Sequence, residues 1–253
     1  MTRDAYVTLV SSLPALGPVL SAKHPPINRV QLQRRLRLLS AEHRGELKAI
    51  ADLLSWARLP LLGTDAALVA RAERLIPRIS SPTLQALARD RLEFRTLIAA
   101  LRRRQAGQDS PPRREGRGEA WGYSRHLRRI EANWRDPTLG VGRIYPWLAD
   151  ARARLEAGDA QGLERILLEE SWRQTERHAI GHEFDYEAVA IYVIKWNLLD
   201  RWTRYDAEAA AARFASLVDA ALADRTLAHQ TLADIGPSGT AGSTRHAGKE
   251  AAA

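Results

Sequence analysis

Along most of the chain apolar residues recur at intervals of three and four, the spacing of helices with one buried face. From Asn28 to Trp56 the periodic positions are Val30, Leu36, Leu39, Leu47, Ile50 and Leu54, with Asn28 as N-cap and Pro60 as stop. Thr64 caps a short helix carrying Ala67, Leu68, Ala72 and Leu75, which ends at Pro77. Ser81-Pro82 places a cap and then a proline at the first helical position, and the helix behind it runs through Leu84, Leu87, Leu92, Leu97, Ile98 and Leu101. Further on, Ile144 to Glu156 reads as a helix with Pro146 in its first turn. Gly158-Asp159 stops it and starts the next, which reaches about His178. Asp185 caps a nearly all-apolar helix from Tyr186 to Trp202, and Asp206 caps a last one to about Leu232. Tyr6-Val7-Thr8-Leu9-Val10 is short and β-branched, so an extended segment is expected there, ended by Ser12-Leu13-Pro14. The expected fold is all-α: a helical bundle with a short N-terminal extended segment and a disordered C-terminal tail.

Residues 105–119 have no apolar period and are rich in Gly, Pro and charge, so they read as a flexible linker. They divide the chain into an N-terminal helical part, 1–104, and a C-terminal one, 120–232. The tail, 233–253, is mostly Gly, Ser, Thr, Ala and charge from Gly236 on.

Composition narrows the chemistry. The 253 residues carry a net charge of +8 and contain no Cys, which excludes disulfides, thiolate metal sites and cysteine nucleophiles. Only four of the 38 basic residues are Lys. The longest uncharged stretch, 5–22, has the length of a secretory leader. Asp4 cancels Arg3 before it, and Pro14, Gly17 and Pro18 break its helix, so a leader is not expected. No run reaches the roughly 20 apolar residues of a spanning helix.

His178 and His182, at i and i+4, are the one metal-like pair. The zinc-protease spelling is absent and Gly181 weakens the helix between them, so a polar helix end is expected instead. Nine Arg fall between Arg102 and Arg129 against three acids, a local balance of +6. Arg102, Arg103, Arg104, Arg125, Arg128 and Arg129 are therefore the candidate partner interface, suited to an acidic protein or to phosphates. No nucleic-acid module accompanies them. Six of the seven Trp, at 121, 134, 147, 172, 196 and 202, lie in the second half and are expected to fill a core. Lys195, inside an apolar run, needs a carboxylate, and Glu169 and Glu170 on the preceding helix are the expected partners. No catalytic residue, cofactor or metal is assigned.

Four stretches together resemble a known family: Tyr6 to Pro14; Asn133 to Gly140 followed by Tyr145-Pro146-Trp147-Leu148; Gly158-Asp159 leading to Leu163 through Leu167; and Phe184 through Trp196, continuing into Asp200-Arg201-Trp202. Trp134, Pro137, Trp147, Tyr192, Lys195, Trp196, Arg201 and Trp202 carry most of the pattern. The chain resembles an uncharacterised bacterial family that accompanies V/A-type ATPases and looks related to their C-type connector (the d-type component of eukaryotic V-ATPases). The resemblance implies a non-enzymatic helical connector between the central stalk and the membrane rotor ring, coupling ATP hydrolysis or synthesis to ion transport, including proton transport. It also implies a cytoplasmic location, peripheral to the inner membrane through partners. Two alternatives stand beside it: a polyanion-binding (nucleic-acid) helical protein acting through residues 102–129, and a metal-dependent hydrolase using His178 and His182.

Overall fold

Polar caps start most of the helices. In the computed structural model, which describes residues 3–55, 64–112 and 120–205, every regular element is helical. Helix α1 is Arg3–Ser12, α2 Arg29–Leu36, α3 Ala41–Leu54 and α4 Asp65–Leu75, the last passing into a 3-10 turn at Ile76–Arg78. Helix α5 is Pro82–Gln105, α6 Leu127–Ala132, α7 Trp147–Glu156 and α8 Ala160–Ala179. Helix α9 occupies 186–205. Asn28 accepts from the Gln31 N–H while the Gln31 side chain accepts from the Asn28 N–H, a complete capping box. Thr64, Ser81, Asp159 and Asp185 cap α4, α5, α8 and α9 as the sequence predicts.

Two elements differ from expectation. Tyr6 to Val10 is not extended but lies in α1. Tyr6, Leu9 and Val10 stand at i, i+3 and i+4, so as a helix they turn one face to the core, where Leu9 is fully buried. Burial outweighs the β-preference of Val7 and Val10, which is weak and context-dependent. The second difference is a break in the helix expected from Asn28 to Trp56. Three successive i to i−3 bonds over Arg37, Leu38 and Leu39 tighten the chain, and Ser40 caps a new helix through the His43 N–H.

Two apolar clusters fill the interior, and α5 belongs to both. The first joins α1 to α4 and the front of α5, through Leu84, Leu87, Ala88 and Leu92, to Tyr186, Val189, Ile191, Ile194 and Trp196 of α9. The second joins Phe94, Leu97, Ile98 and Leu101 to Trp121, Ile130, Trp134, Trp147, Leu148, Leu163 and Leu167. Residues up to Arg204 cluster as one compact unit. The start of the 105–119 segment is anchored, since the Gln108 carbonyl accepts from Trp134 Nε1 at 2.8 Å. Residues 113–119, the stop at Pro60, the helix expected from Asp206 and the tail lie outside the described residues.

All six Trp of the second half are buried. Trp196 donates to the Ile27 carbonyl and Trp121 to Glu131, so their polar edges are satisfied as their apolar faces pack. Among the described residues no helix is long and apolar enough to cross a membrane. Truncating Leu9 or Ile194 to Ala removes a side chain at most 4% exposed. Each change is expected to cost about 2–5 kcal/mol in denaturant unfolding. A loss below about 1 kcal/mol for Leu9 would mean that α1 does not dock.

Candidate functional site

Helix α5 is buried at every residue from Arg91 to Ile98, and four of those residues are polar. Each has a different environment. Arg95 donates to the Leu53 and Leu54 carbonyls, satisfying the buried carbonyl end of α3. Burial, reinforced by the charge of Arg201, lowers the Arg95 pKa to about 10. Arg91 is more enclosed. Burial, with Arg95 and Arg201 adding like charge, lowers its pKa to about 9, and its Nη1 has no hydrogen-bond partner among the described residues. Arg201 itself forms a two-point ion pair with Glu164, at 2.7 and 2.8 Å. Glu93 accepts from Ser124 Oγ at 2.6 Å and from Arg125 Nε at 2.9 Å. Thr96 Oγ1 accepts from the Tyr123 N–H at 2.9 Å, fixing the same loop.

Asp90, just before this run, gathers the loop and α8 together. It pairs with Arg125 and, at 3.0 Å, with His178 Nε2. Burial alone would raise its pKa, but the His178 hydrogen bond and the Arg125 charge outweigh it and hold the carboxyl below its ordinary value. Tyr145 lies beside this group: burial first, then the Glu93 charge, pushes its hydroxyl well above the usual range.

The histidine pair is not one site. Gly181, at φ +87°, follows the end of α8 in the left-handed region and turns the chain between the two rings. His178 goes to Asp90, whereas His182 places Nδ1 at 2.7 Å from Asp185 and Nε2 at 3.1 Å from Thr83 Oγ1. The two rings thus take different partners. His182, Asp185 and Glu187 do converge, their ligand atoms lying within 4.8 Å of one another.

The six arginines of the expected interface divide. Arg103 pairs with Asp65 and stands over the Trp121 ring, and Arg104 donates to the Arg135 and Asp136 carbonyls. Arg125 is held by Asp90 and Glu93. These three tie elements together. Arg102, Arg128 and Arg129 remain exposed, and their side chains make no ion pair or hydrogen bond among the described residues. Lys195 takes Glu176, at 3.2 Å, and the Trp172 ring, at 4.1 Å, rather than Glu169 or Glu170. The antiparallel register of α8 and α9 is the reason. Arg201 meets Glu164, so Lys195 falls opposite the later turns of α8, and Glu170 is taken by Arg173.

The Asn133 to Gly142 segment is a tight turn held by its own hydrogen bonds and by Arg104 of α5. Asp136 Oδ1 accepts from the Thr138 N–H, the Thr138 hydroxyl and the Gly140 N–H. Those bonds, the Gly140 N–H foremost, hold its carboxyl below the usual range. Gly140, at φ +69°, has Asn133 so close that a Cβ would meet it at 2.7 Å. Tyr192 is fixed by donating to the Pro14 carbonyl at 2.9 Å. In these places the stretches that carry the resemblance serve packing and turn formation.

No family model, no curated protein and no solved structure matches the chain.

A depressed carboxyl contributes stability that is present above its unfolded pKa and is lost as pH falls through its folded one. Asp90 therefore adds an acid-sensitive contribution that fades below about pH 4. The Asp90→Asn variant is expected to be less stable than the parent at pH 7 and to lose less on acidification, read from urea midpoints between about pH 7 and pH 3. Parallel pH profiles for the two proteins would contradict the pairing.

Proposed function

We propose that the chain is a non-catalytic connector of a V/A-type ATPase, in the C-type position between the central stalk and the rotor ring. In that position it transmits torque, coupling ATP hydrolysis or synthesis to ion transport. It lies at the cytoplasmic face of the membrane and is held there by its partners. The observation that carries the reading is the division of charge. Most of the polar residues on and around α5 are spent on joining helices, while Arg102, Arg128 and Arg129 are left exposed and, among the described residues, unpaired. Such free guanidinium groups attract an acidic protein surface and set its orientation. The end of α5 is fixed to the segment around α6 by Trp134 and Arg104, so these cations are carried on a rigid support. The stretches that resemble the ATPase-associated family supply the identity of the partner.

The test is binding of the purified chain to a purified V/A-type ATPase central stalk with its rotor ring. One chain per motor is expected, weakening with added salt. Changing Arg102, Arg128 and Arg129 together to Gln should weaken it at least about tenfold, as lost complementary charge does. Absence of a complex would overturn the reading. Absence together with tight, steeply salt-dependent binding to duplex DNA would assign the basic residues to a polyanion instead.

A further inference from the structure

The corner between α8 and α9 holds a set of side chains that neither the core nor the basic surface uses. His182 is half-buried, and its two ring nitrogens are directed differently. Nε2 lies 3.1 Å from Thr83 Oγ1, at the start of α5, and Nδ1 faces the Asp185 carboxylate. Asp185 is likewise divided, Oδ1 capping α9 through the Ala188 N–H while Oδ2 faces His182 at 2.7 Å. Glu187 is half-buried in the first turn of α9, and its carboxylate makes no hydrogen bond or ion pair among the described residues. Two carboxylates thus share one corner, and the second has no cation among the described residues. The neighbouring Tyr6 registers this field: its hydroxyl pKa is raised by burial and then by the charges of Glu187 and Asp185.

We propose that His182 Nδ1, Asp185 Oδ2 and Glu187 bind one divalent transition-metal ion of the zinc class. One ligand atom from each of the three residues lies within 4.8 Å of the other two, close enough for one ion to reach all three after small side-chain rotations. An imidazole with two carboxylates suits zinc, cobalt or nickel better than magnesium or calcium, which prefer oxygen alone. The remaining contacts match what metal ligands require. The far nitrogen of His182 is held by Thr83, and the far oxygen of Asp185 is held by a backbone N–H, so each of these two ligands is oriented before the ion arrives. The ion displaces the hydrogen bond between Nδ1 and Asp185 and neutralises the unpaired Glu187. With three protein ligands, a fourth position stays open to water. The site does not depend on the ATPase reading and is a clip across the α8–α9 corner, with Thr83 linking it to α5.

Equilibrium dialysis of the full chain against Zn2+, followed by metal analysis, tests this directly. One ion per chain is expected, with a thermal midpoint that rises with free zinc. His182→Ala and Glu187→Gln should each weaken binding at least about tenfold, the scale seen when a metal site loses a supporting group. His178→Ala, whose ring belongs to Asp90, should bind as the parent does. Circular dichroism checks that each variant is folded, and Glu187→Gln, which removes one charge and no packing, keeps the test decisive should the histidine variant not fold. Absence of stoichiometric zinc, parental affinity in either folded ligand variant, or an equal loss in His178→Ala would overturn the site.

Discussion

A helix buried on every side must find a partner for each polar group it carries, and α5 comes under that constraint between Arg91 and Ile98. Its apolar residues divide between two clusters, so both parts of the interior share it. Its polar residues then decide what lies beside it. Arg95 requires carbonyls and takes those at the end of α3. Glu93 requires donors and draws in Ser124 and Arg125. Thr96 fixes Tyr123. The chain between 121 and 126, with almost no regular structure of its own, is placed largely by these bonds.

The same constraint accounts for the pairing of the titratable groups around α5. His178, Asp90, Glu93 and Arg125 form a chain of pairs whose partners are all supplied by the fold. Of these only Glu93 is fully buried, so removing its donors leaves a buried charge uncompensated, which is far more damaging than never having had the pair. Arg91 departs from this pattern, a buried guanidinium with like charges near it, whose Nη1 has no partner among the described residues. Away from the buried run of α5, Arg128, Arg129 and Glu187 make no ion pair or hydrogen bond among the described residues.

Much of the fold was legible in the sequence, because local signals carried it. Asn28, Thr64, Ser81, Asp159 and Asp185 are polar residues placed directly before apolar periodicity, and each caps a helix. Helix α1 was not legible, since Tyr6, Val7 and Val10 satisfy a strand by propensity and a helix only by tertiary burial. The pairings at the candidate site were less accessible still. Spacing showed that His178 and His182 could share a face, but not that they would take different partners, Asp90 for one and Asp185 with Thr83 for the other. It showed that Lys195 needed a carboxylate, but the choice of Glu176 depends on the register of two helices. The buried arginines of α5 did leave a signal: Leu84, Ala88, Arg91 and Arg95 follow one another at helical spacing, which puts two guanidinium groups on the helix's apolar face.

Native-state hydrogen exchange, followed residue by residue, tests most directly whether α5 is the element on which the rest depends. The account predicts that amides 91–98 exchange only through global unfolding, with the same free energy and the same denaturant dependence as the whole unit. It also predicts that amides around Tyr123 and Ser124 open more easily, since they are held to α5 by a few polar bonds. Exchange of the α5 amides through smaller openings, while α3 and α9 stay protected, would contradict it.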